Sequence, residues 1–182
     1  FEQALIDLGY DTGTLDGSVP TASISGVTFL DVFFKNISDL TGIEDFGALT
    51  VLDCGWNQLT SIDLSQNTVL NQLVCINNQI SSLDLSQNIA LVNLVCFDNQ
   101  LTCLNIKNGN NNSIVQFIAS GNPDLTCIEV DDAAYSTSNW TSIDSQTSFS
   151  EDCNNACSGG TTSIPELSSN NKELLTITDI LG

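Results

Sequence analysis

Residues 49–69 read LTVLDCGWNQLTSIDLSQNTV and residues 70–90 read LNQLVCINNQISSLDLSQNIA, so one unit occurs twice in succession. Related units precede and follow this pair at intervals of 21 to 23 residues. The anchors of the five copies are Val27-x-x-Leu30-x-Val32, Leu49-x-x-Leu52-x-Cys54, Leu70-x-x-Leu73-x-Cys75, Leu91-x-x-Leu94-x-Cys96 and Ile114-x-x-Phe117-x-Ala119. Self-similarity at such a period is typical of a solenoid, in which each unit buries its apolar edge against its neighbours.

Each central unit is itself nearly doubled. The second half-motifs are Leu59-x-x-Ile62-x-Leu64, Ile80-x-x-Leu83-x-Leu85, Leu101-x-x-Leu104-x-Ile106 and Leu125-x-x-Ile128-x-Val130. In both halves the apolar residues alternate with others, which places one set inward and the other outward, as in a short strand. We therefore predict a mostly β solenoid with parallel strands, two per repeat in the central copies.

Four regions follow from where the pattern begins and ends. They are an N-terminal cap at 1–26, five repeats at 27–130, a C-terminal cap at 131–157, and a linker with a further segment at 158–182. The opening residues FEQALIDLGY place apolar side chains on one helical face, which predicts a short capping helix. A cap is needed because the end of a solenoid would otherwise expose a row of apolar side chains.

These motifs resemble the leucine-rich repeat superfamily, and more narrowly a bacterial subclass with a doubled unit. Residues 1–32 resemble the N-terminal cap of secreted leucine-rich repeat proteins from Bacteroidetes-type bacteria. The segment SIPELSSNNKELLTITDILG at 163–182 resembles the start of the C-terminal sorting domain used by type IX secretion. The resemblance implies a secreted or cell-surface protein that acts in recognition or adhesion without catalysis.

The charge balance narrows the function further. The chain has three lysines and arginines together against 22 acidic residues, for a net charge of −19, and it contains no histidine. Such a surface repels phosphate backbones and anionic lipids, so we expect no nucleic-acid partner and no membrane insertion. Without histidine, most general-base and zinc schemes lose their usual component. We expect no enzyme activity, no metal and no cofactor.

An asparagine stands eight residues after the anchor in four of the five copies. These are Asn57, Asn78, Asn99 and Asn122, with Lys35 in the remaining copy. The chain must turn away from the sheet there, which leaves main-chain groups that no strand ladder satisfies. An inward amide offers two donors and an acceptor, so stacked copies can bond those groups. We expect a structural asparagine ladder, because four copies in register need one common cause.

The seven cysteines form two groups. Cys54, Cys75 and Cys96 replace the third apolar residue of the motif, and we expect buried free thiols because in-register side chains on adjacent strands point in parallel. The other four are Cys103, Cys127, Cys153 and Cys157, which we expect to be at least partly oxidised in an exported protein. The preferred disulfide is Cys127–Cys153, which would pin the cap to the last repeat, and Cys103–Cys127 is the alternative.

Outward positions of the first strand of each repeat collect apolar side chains on one face. The predicted ligand-binding residues are Phe33, Trp56, Val74, Ile76, Val95, Phe97 and Ile118. Monomers seldom expose a contiguous apolar patch above roughly a few hundred Å² without a function. Aromatic anchors also dominate protein interfaces. We predict that this face, rimmed by Asp31, Asp53 and Asp98, binds a protein or glycan at the cell surface.

Several alternatives stay open from the sequence. The β-propensity of Val, Ile and Phe explains such residues wherever they point, and a missing part of the protein could cover the face. The chain could instead be a structural spacer or display stalk, or an accessory to a polysaccharide-acting enzyme. On the second strands, a column of hydroxyl residues (Thr60, Ser81, Thr102 and Thr126) leaves an ice-binding function open. A mainly acidic column (Asp63, Asp84, Asn105 and Glu129) leaves calcium binding open.

Overall fold

The computed structural model of the protein describes residues 1–12, 14–154 and 157. Within these residues, nine strands of three residues each form two sheets. The strands are β1 (Phe29–Asp31), β2 (Val51–Asp53), β3 (Gln72–Val74), β4 (Ser82–Asp84), β5 (Asn93–Val95), β6 (Cys103–Asn105), β7 (Gln116–Ile118), β8 (Cys127–Glu129) and β9 (Ser148–Ser150). The helices are α1 (Glu2–Asp7), α2 (Thr21–Ile24) and α3 (Ala133–Asn139), with 3-10 turns at Ile43–Asp45 and Asn111–Ser113.

The strands stack in parallel, one coil over the next. The first sheet has the order β1-β2-β3-β5-β7 and the second has the order β4-β6-β8-β9. In the first sheet Leu52 pairs with Leu30 on one side and with Leu73 on the other, so equivalent motif positions are in register. This arrangement confirms the predicted mostly β solenoid with a short N-terminal helix.

The core lies between the two sheets and is made of the motif leucines. Leu52, Leu73 and Leu94, each at the centre of a strand of the first sheet, are fully buried. From the other side Leu83 and Leu104 point into the same interior. Burying one such side chain contributes about 1.5–3 kcal/mol, so the repeated leucines drive the stacking of the coils.

The second sheet begins one repeat later than the sequence predicts. Residues 59–64, the second half of the first central copy, form no strand, although Leu59 and Leu64 are buried as expected. The preceding coil contributes only the 3-10 turn Ile43–Asp45 at this place, to which the Asn67 amide is bonded. This half-motif keeps an irregular backbone.

Two short helices close the N-terminal end. Ala4 and Leu5 of α1 and Ile24 of α2 are buried against the first coils, and the ring of Phe1 lies 6.1 Å from that of Phe46. Leu8, expected on the buried face of the helix, is exposed because α1 ends at Asp7. The helices therefore cover the apolar interior at this end of the solenoid, while β1 remains the edge strand of the first sheet.

The segment expected to cap the C-terminal end also continues the stacking. Ser142 bridges Ile118 in the first sheet, and β9 pairs with β8 in the second. Trp140 stacks on Phe117 with ring centroids 4.5 Å apart, which closes the core. Residues 158–182, the predicted linker and sorting-domain start, lie outside the described residues. None of the helices in the described ranges is long and apolar enough to cross a bilayer.

Candidate functional site

The four predicted ladder asparagines lie inside the solenoid, where each bonds main-chain groups of two coils. Asn78 Nδ2 donates to the carbonyl oxygens of Cys54 (3.0 Å) and Cys75 (3.2 Å), and its Oδ1 accepts from the Leu59 N–H (3.0 Å). The same pattern recurs at Asn57, Asn99 and Asn122. Each amide therefore links one coil to the preceding one through groups that no strand pairing satisfies.

A second amide ladder, which the sequence analysis missed, runs under the other sheet. Asn88 Nδ2 donates to the carbonyl oxygens of Leu64 and Asn67, both at 3.0 Å. Asn108 Nδ2 donates in the same way to the main-chain carbonyl oxygen of Asn88. Asn67 and Asn88 are fully buried. Their spacing was a usable signal, because both stand eight residues after the anchor of the second half-motif.

Asp144 closes the first ladder at its C-terminal end. Its two carboxylate oxygens accept from the N–H groups of Gly121 (2.9 Å) and Asn122 (2.7 Å). An acceptor is needed here because, within the described residues, no further coil supplies the carbonyl oxygens that accept from the equivalent N–H groups of Asp98 and Asn99. No motif marks Asp144, since residues 131–152 lack the repeat pattern.

The predicted outer face is partly exposed, with one exception. Phe33 is 42% and Trp56 is 49% exposed, and Val74, Ile76, Phe97 and Ile118 are of intermediate exposure. Val95 was expected to be accessible but is only 9% exposed. It pairs with Val74 on one side and Ile118 on the other, and these flanking side chains cover it.

Phe33 and Ile76 close over the backbone of Gly55. A Cβ atom added to Gly55 would lie 2.9 Å from Ile76 Cγ1 and 3.3 Å from Phe33 Cδ2. The missing side chain thus leaves room for Phe33 of the preceding coil and Ile76 of the following coil above the same glycine, beside the Asp53 carboxylate. No pattern in the sequence marks this close approach.

Two carboxylates border this patch and cap strand ends. Asp31 and Asp53 pair in register, and each accepts a backbone N–H two residues ahead, from Phe33 and Gly55, at 3.0 Å. Burial raises the pKa of Asp53, and the negative charge of Asp31 adds to the effect. Both acids therefore have a local structural role and also leave a negative rim beside the apolar surface.

Trp56 lies at the margin of the face in an unusual backbone conformation. Phe34 and Trp56 both have φ +55°, in the left-handed region, and the next two coils place Asn77 and Asp98 there with φ +52° and +54°. The left-handed conformation costs a bulky residue about 1–2 kcal/mol, whereas Asn, Asp and Gly adopt it readily. The Phe34 and Trp56 rings meet edge to face at 6.5 Å, and Phe34 is 72% exposed. Neither ring is part of the buried core.

A groove of about 470 Å³ runs beside this row of left-handed residues. The lining includes the left-handed residues Phe34, Trp56, Asn77 and Asp98, and also Asn36, Gln58 and Gln79. The ladder residues Asn57 and Asn78 line it as well. The groove joins aromatic faces to a row of amides along four coils.

No protein-family model matches the chain. Over 51 residues it is 41% identical to internalin J of Listeria monocytogenes serotype 4b (strain F2365), which is 28% of this chain and 6% of that protein. The solved functional domain of InlJ from Listeria monocytogenes, which includes a cysteine ladder, has a TM-score of 0.54 at 28% identity over 71% of this chain. The chain has the fold of a leucine-rich repeat solenoid.

The likeness covers only part of the relatives. This leucine-rich repeat chain spans 30% of the InlJ chain. A solved internalin, inlF from Listeria monocytogenes strain 4b F2365, has a TM-score of 0.44 at 24% identity over 71% of this chain and 36% of that one. The likeness to InlJ therefore concerns only a part of that protein.

Three cysteines of the leucine-rich repeats stack as buried free thiols. Cys54, Cys75 and Cys96 are fully buried, and the Cys54 thiol donates to the Val74 carbonyl oxygen at 3.5 Å. Burial raises the pKa of Cys96 to about 12 and the pKa values of Cys54 and Cys75 well above the usual range. Thiols in this state are poor nucleophiles, because the thiolate is the reactive form.

Two disulfides tie the C-terminal segment to the second sheet. Cys127 is bonded to Cys153 and Cys103 to Cys157, with Cα atoms 5.8 and 5.3 Å apart. The alternative Cys103–Cys127 bond is wrong, because β6 and β8 pair in register and their side chains point in parallel. Ser82 Oγ also donates to the Cys157 carbonyl oxygen at 2.5 Å. Cys153 is therefore bonded to β8, and Cys157 to both β6 and β4.

Removing the Cys127–Cys153 bond should lower the free energy of unfolding by about 3–4 kcal/mol in the chain-entropy model. The bond closes a separation of 26 residues, so its loss enlarges the unfolded ensemble. The Cys127→Ser/Cys153→Ser variant and the wild type would be compared by urea unfolding under oxidising conditions. A matched Cys103→Ser/Cys157→Ser variant, which opens a separation of 54 residues, should lose slightly more. A loss below about 1 kcal/mol in both variants would contradict the assigned bonds.

The acidic column of the second sheet is engaged in local turns. Asp63 and Asp84 each accept the backbone N–H two residues ahead, from Ser65 (3.0 Å) and Ser86 (2.9 Å). In the ranges that the structure covers, no three His, Cys, Asp or Glu side chains come together as metal ligands. These two carboxylates therefore stabilise the turns that follow them.

Proposed function

We propose that this leucine-rich repeat chain is a non-catalytic recognition module whose outer first-sheet face binds a protein partner. The observation that carries the proposal is that Phe33 and Ile76, from the coils on either side, both lie within van der Waals reach of the space above Gly55. An apolar surface with aromatic anchors and a charged rim has the composition of a protein interface. The leucine-rich repeat architecture of its internalin-like neighbours supports the same kind of role.

Two further features support recognition outside the cell. Disulfides such as Cys127–Cys153 and Cys103–Cys157 persist in oxidising compartments and are rare in the cytosol. The lack of histidine in the whole sequence removes the commonest general base and argues for binding without catalysis. We therefore propose a secreted or cell-surface location.

Substituting Ile76 and Phe97 with serine should lower binding to a protein from surface extracts by about tenfold or more, since both lie in the apolar face. The immobilised chain would be titrated with the extract, and the bound protein would be quantified. Circular dichroism of each variant would check that it is folded. Thr60→Ala, at an exposed position of the opposite side, is the matched control and should bind like the wild type. Equal, saturable capture by the folded double variant and the wild type would refute the proposed face.

A further inference from the structure

The groove beside the left-handed row combines two kinds of group that the fold does not require there. Phe34 and Trp56 occupy positions where later coils have Asn77, Asp98 and Gly121, all residues suited to positive φ. Phe34 is largely exposed and Trp56 is half exposed, and neither belongs to the buried core. Their common feature is that they line the groove.

The amides on the groove have hydrogen-bonding capacity to spare. Gln58 Nε2 donates to Asn36 Oδ1 at 2.6 Å, which fixes that pair across two coils. In the described part of the chain, the side-chain amides of Asn77 and Gln79 have no hydrogen-bond partner. Each can both donate and accept.

The backbone along the groove, by contrast, is already engaged. The N–H groups of Phe34, Trp56 and Asn77 donate to carbonyl oxygens of the following coil at 2.8–3.1 Å. An extended peptide therefore cannot add to the groove as a strand, because strand addition needs unpaired main-chain groups. A ligand for this groove must use aromatic faces and side-chain amides instead.

We infer that this edge groove binds an uncharged oligosaccharide. A pyranose ring presents an apolar C–H face, which suits stacking on Phe34 and Trp56, and hydroxyl groups that donate and accept, which suit the amides of Asn77 and Gln79. Asp98, the carboxylate on the groove, accepts from hydroxyls and repels an anionic ligand, as does the net charge of −19. Adjacent coils lie about 4.8 Å apart, so successive sugar rings of an extended chain would meet successive coils.

This inference goes beyond the proposed function, because the ligand differs and most of the groove's contacting groups lie outside the sheet face; Trp56 and Asp98 border both surfaces. The two sites are separable by mutation. Ile76 and Phe97 belong to the face and do not line the groove, whereas Gln79 lines the groove and lies outside the face.

Tryptophan fluorescence gives a direct test. The chain has two tryptophans, and Trp140 is 5% exposed, so a ligand-induced change would report on Trp56. The probes are neutral hexasaccharides of glucose, mannose, xylose and N-acetylglucosamine, with hexagalacturonate as an anionic control. We expect at least one neutral probe to change the emission saturably, and the anionic probe to leave it unchanged.

Variants then locate the site. Trp56→Asn and Phe34→Asn each introduce a residue that adopts positive φ readily, so both variants should fold with unchanged or higher stability. Binding of the neutral probe would be measured by calorimetry. We expect each asparagine variant to weaken this binding about tenfold or more, and Gln79→Ala to weaken it severalfold. The Ile76→Ser/Phe97→Ser variant should bind the sugar normally even where protein capture is lost. The inference is overturned if no neutral probe binds up to about 10 mM, or if both asparagine variants retain wild-type affinity.

Discussion

Replacing Asn78 with leucine is expected to lower the free energy of unfolding by about 3–6 kcal/mol, or to prevent folding. The substitution removes the acceptor for the Leu59 N–H and the donor for the Cys54 and Cys75 carbonyl oxygens. These groups are buried, and each one left unsatisfied costs about 1–3 kcal/mol. Urea unfolding followed by circular dichroism would measure the loss.

The neighbouring Asn77 provides the matched control. It is also an asparagine, but its side chain makes no hydrogen bond within the described residues, and its φ of +52° suits glycine. Asn77→Gly should therefore change the free energy of unfolding by less than about 0.5 kcal/mol. If Asn78→Leu proved as mild as Asn77→Gly, the amide would not link the coils.

High pH should destabilise the protein steeply through the three stacked thiols. Below about pH 9 these thiols are protonated in both the folded and the unfolded chain, so their contribution to stability is fully present. Above that pH the unfolded chain loses their protons first, because burial raises the folded pKa of Cys96 to about 12 and those of Cys54 and Cys75 well above the usual range. The free energy of unfolding should fall by up to about 4 kcal/mol per pH unit, since each thiol contributes about 1.4.

Unfolding by urea at several pH values from about 8 to 11 would measure this slope. The control is a triple variant with Cys54, Cys75 and Cys96 replaced by valine, the residue that fills the equivalent buried position at Val32. It retains both disulfides and every other titrating group, so the part of the slope that it loses belongs to the thiols. Identical slopes in the two proteins would show that the thiols titrate alike in both states.

The fold class followed from the sequence because its cause is repeated. Motif leucines such as Leu52 and Leu73 recur at one interval, and burial against the next coil is the only way to remove all of them from water. An interaction that occurs only once in the fold gives no repeated pattern in the sequence. Asp144 ends a ladder with a single carboxylate, and Trp140 closes the core by stacking on Phe117, and neither lies in a repeated motif.

Much of the candidate site depended on geometry that the sequence hides. Asn77, Asp98 and Gly121 are residue types that favour positive φ, so the turn conformation was predictable from the later coils. In the first two coils Phe34 and Trp56 conceal that signal, and the groove beside them went unpredicted. The partner of Cys103 was also hidden, because it depends on how the chain crosses the second sheet after β9.

Hydrogen exchange of three turn amides tests the stacked-coil account most directly. The N–H groups of Leu59, Ile80 and Leu101 lie outside the strands, and each donates to the ladder asparagine of the next coil. We predict that these three amides exchange as slowly as the amides of Leu52 and Leu73 in the strands, because opening them requires separation of the coils. Exchange of the three at the rate of exposed loop amides would contradict the account.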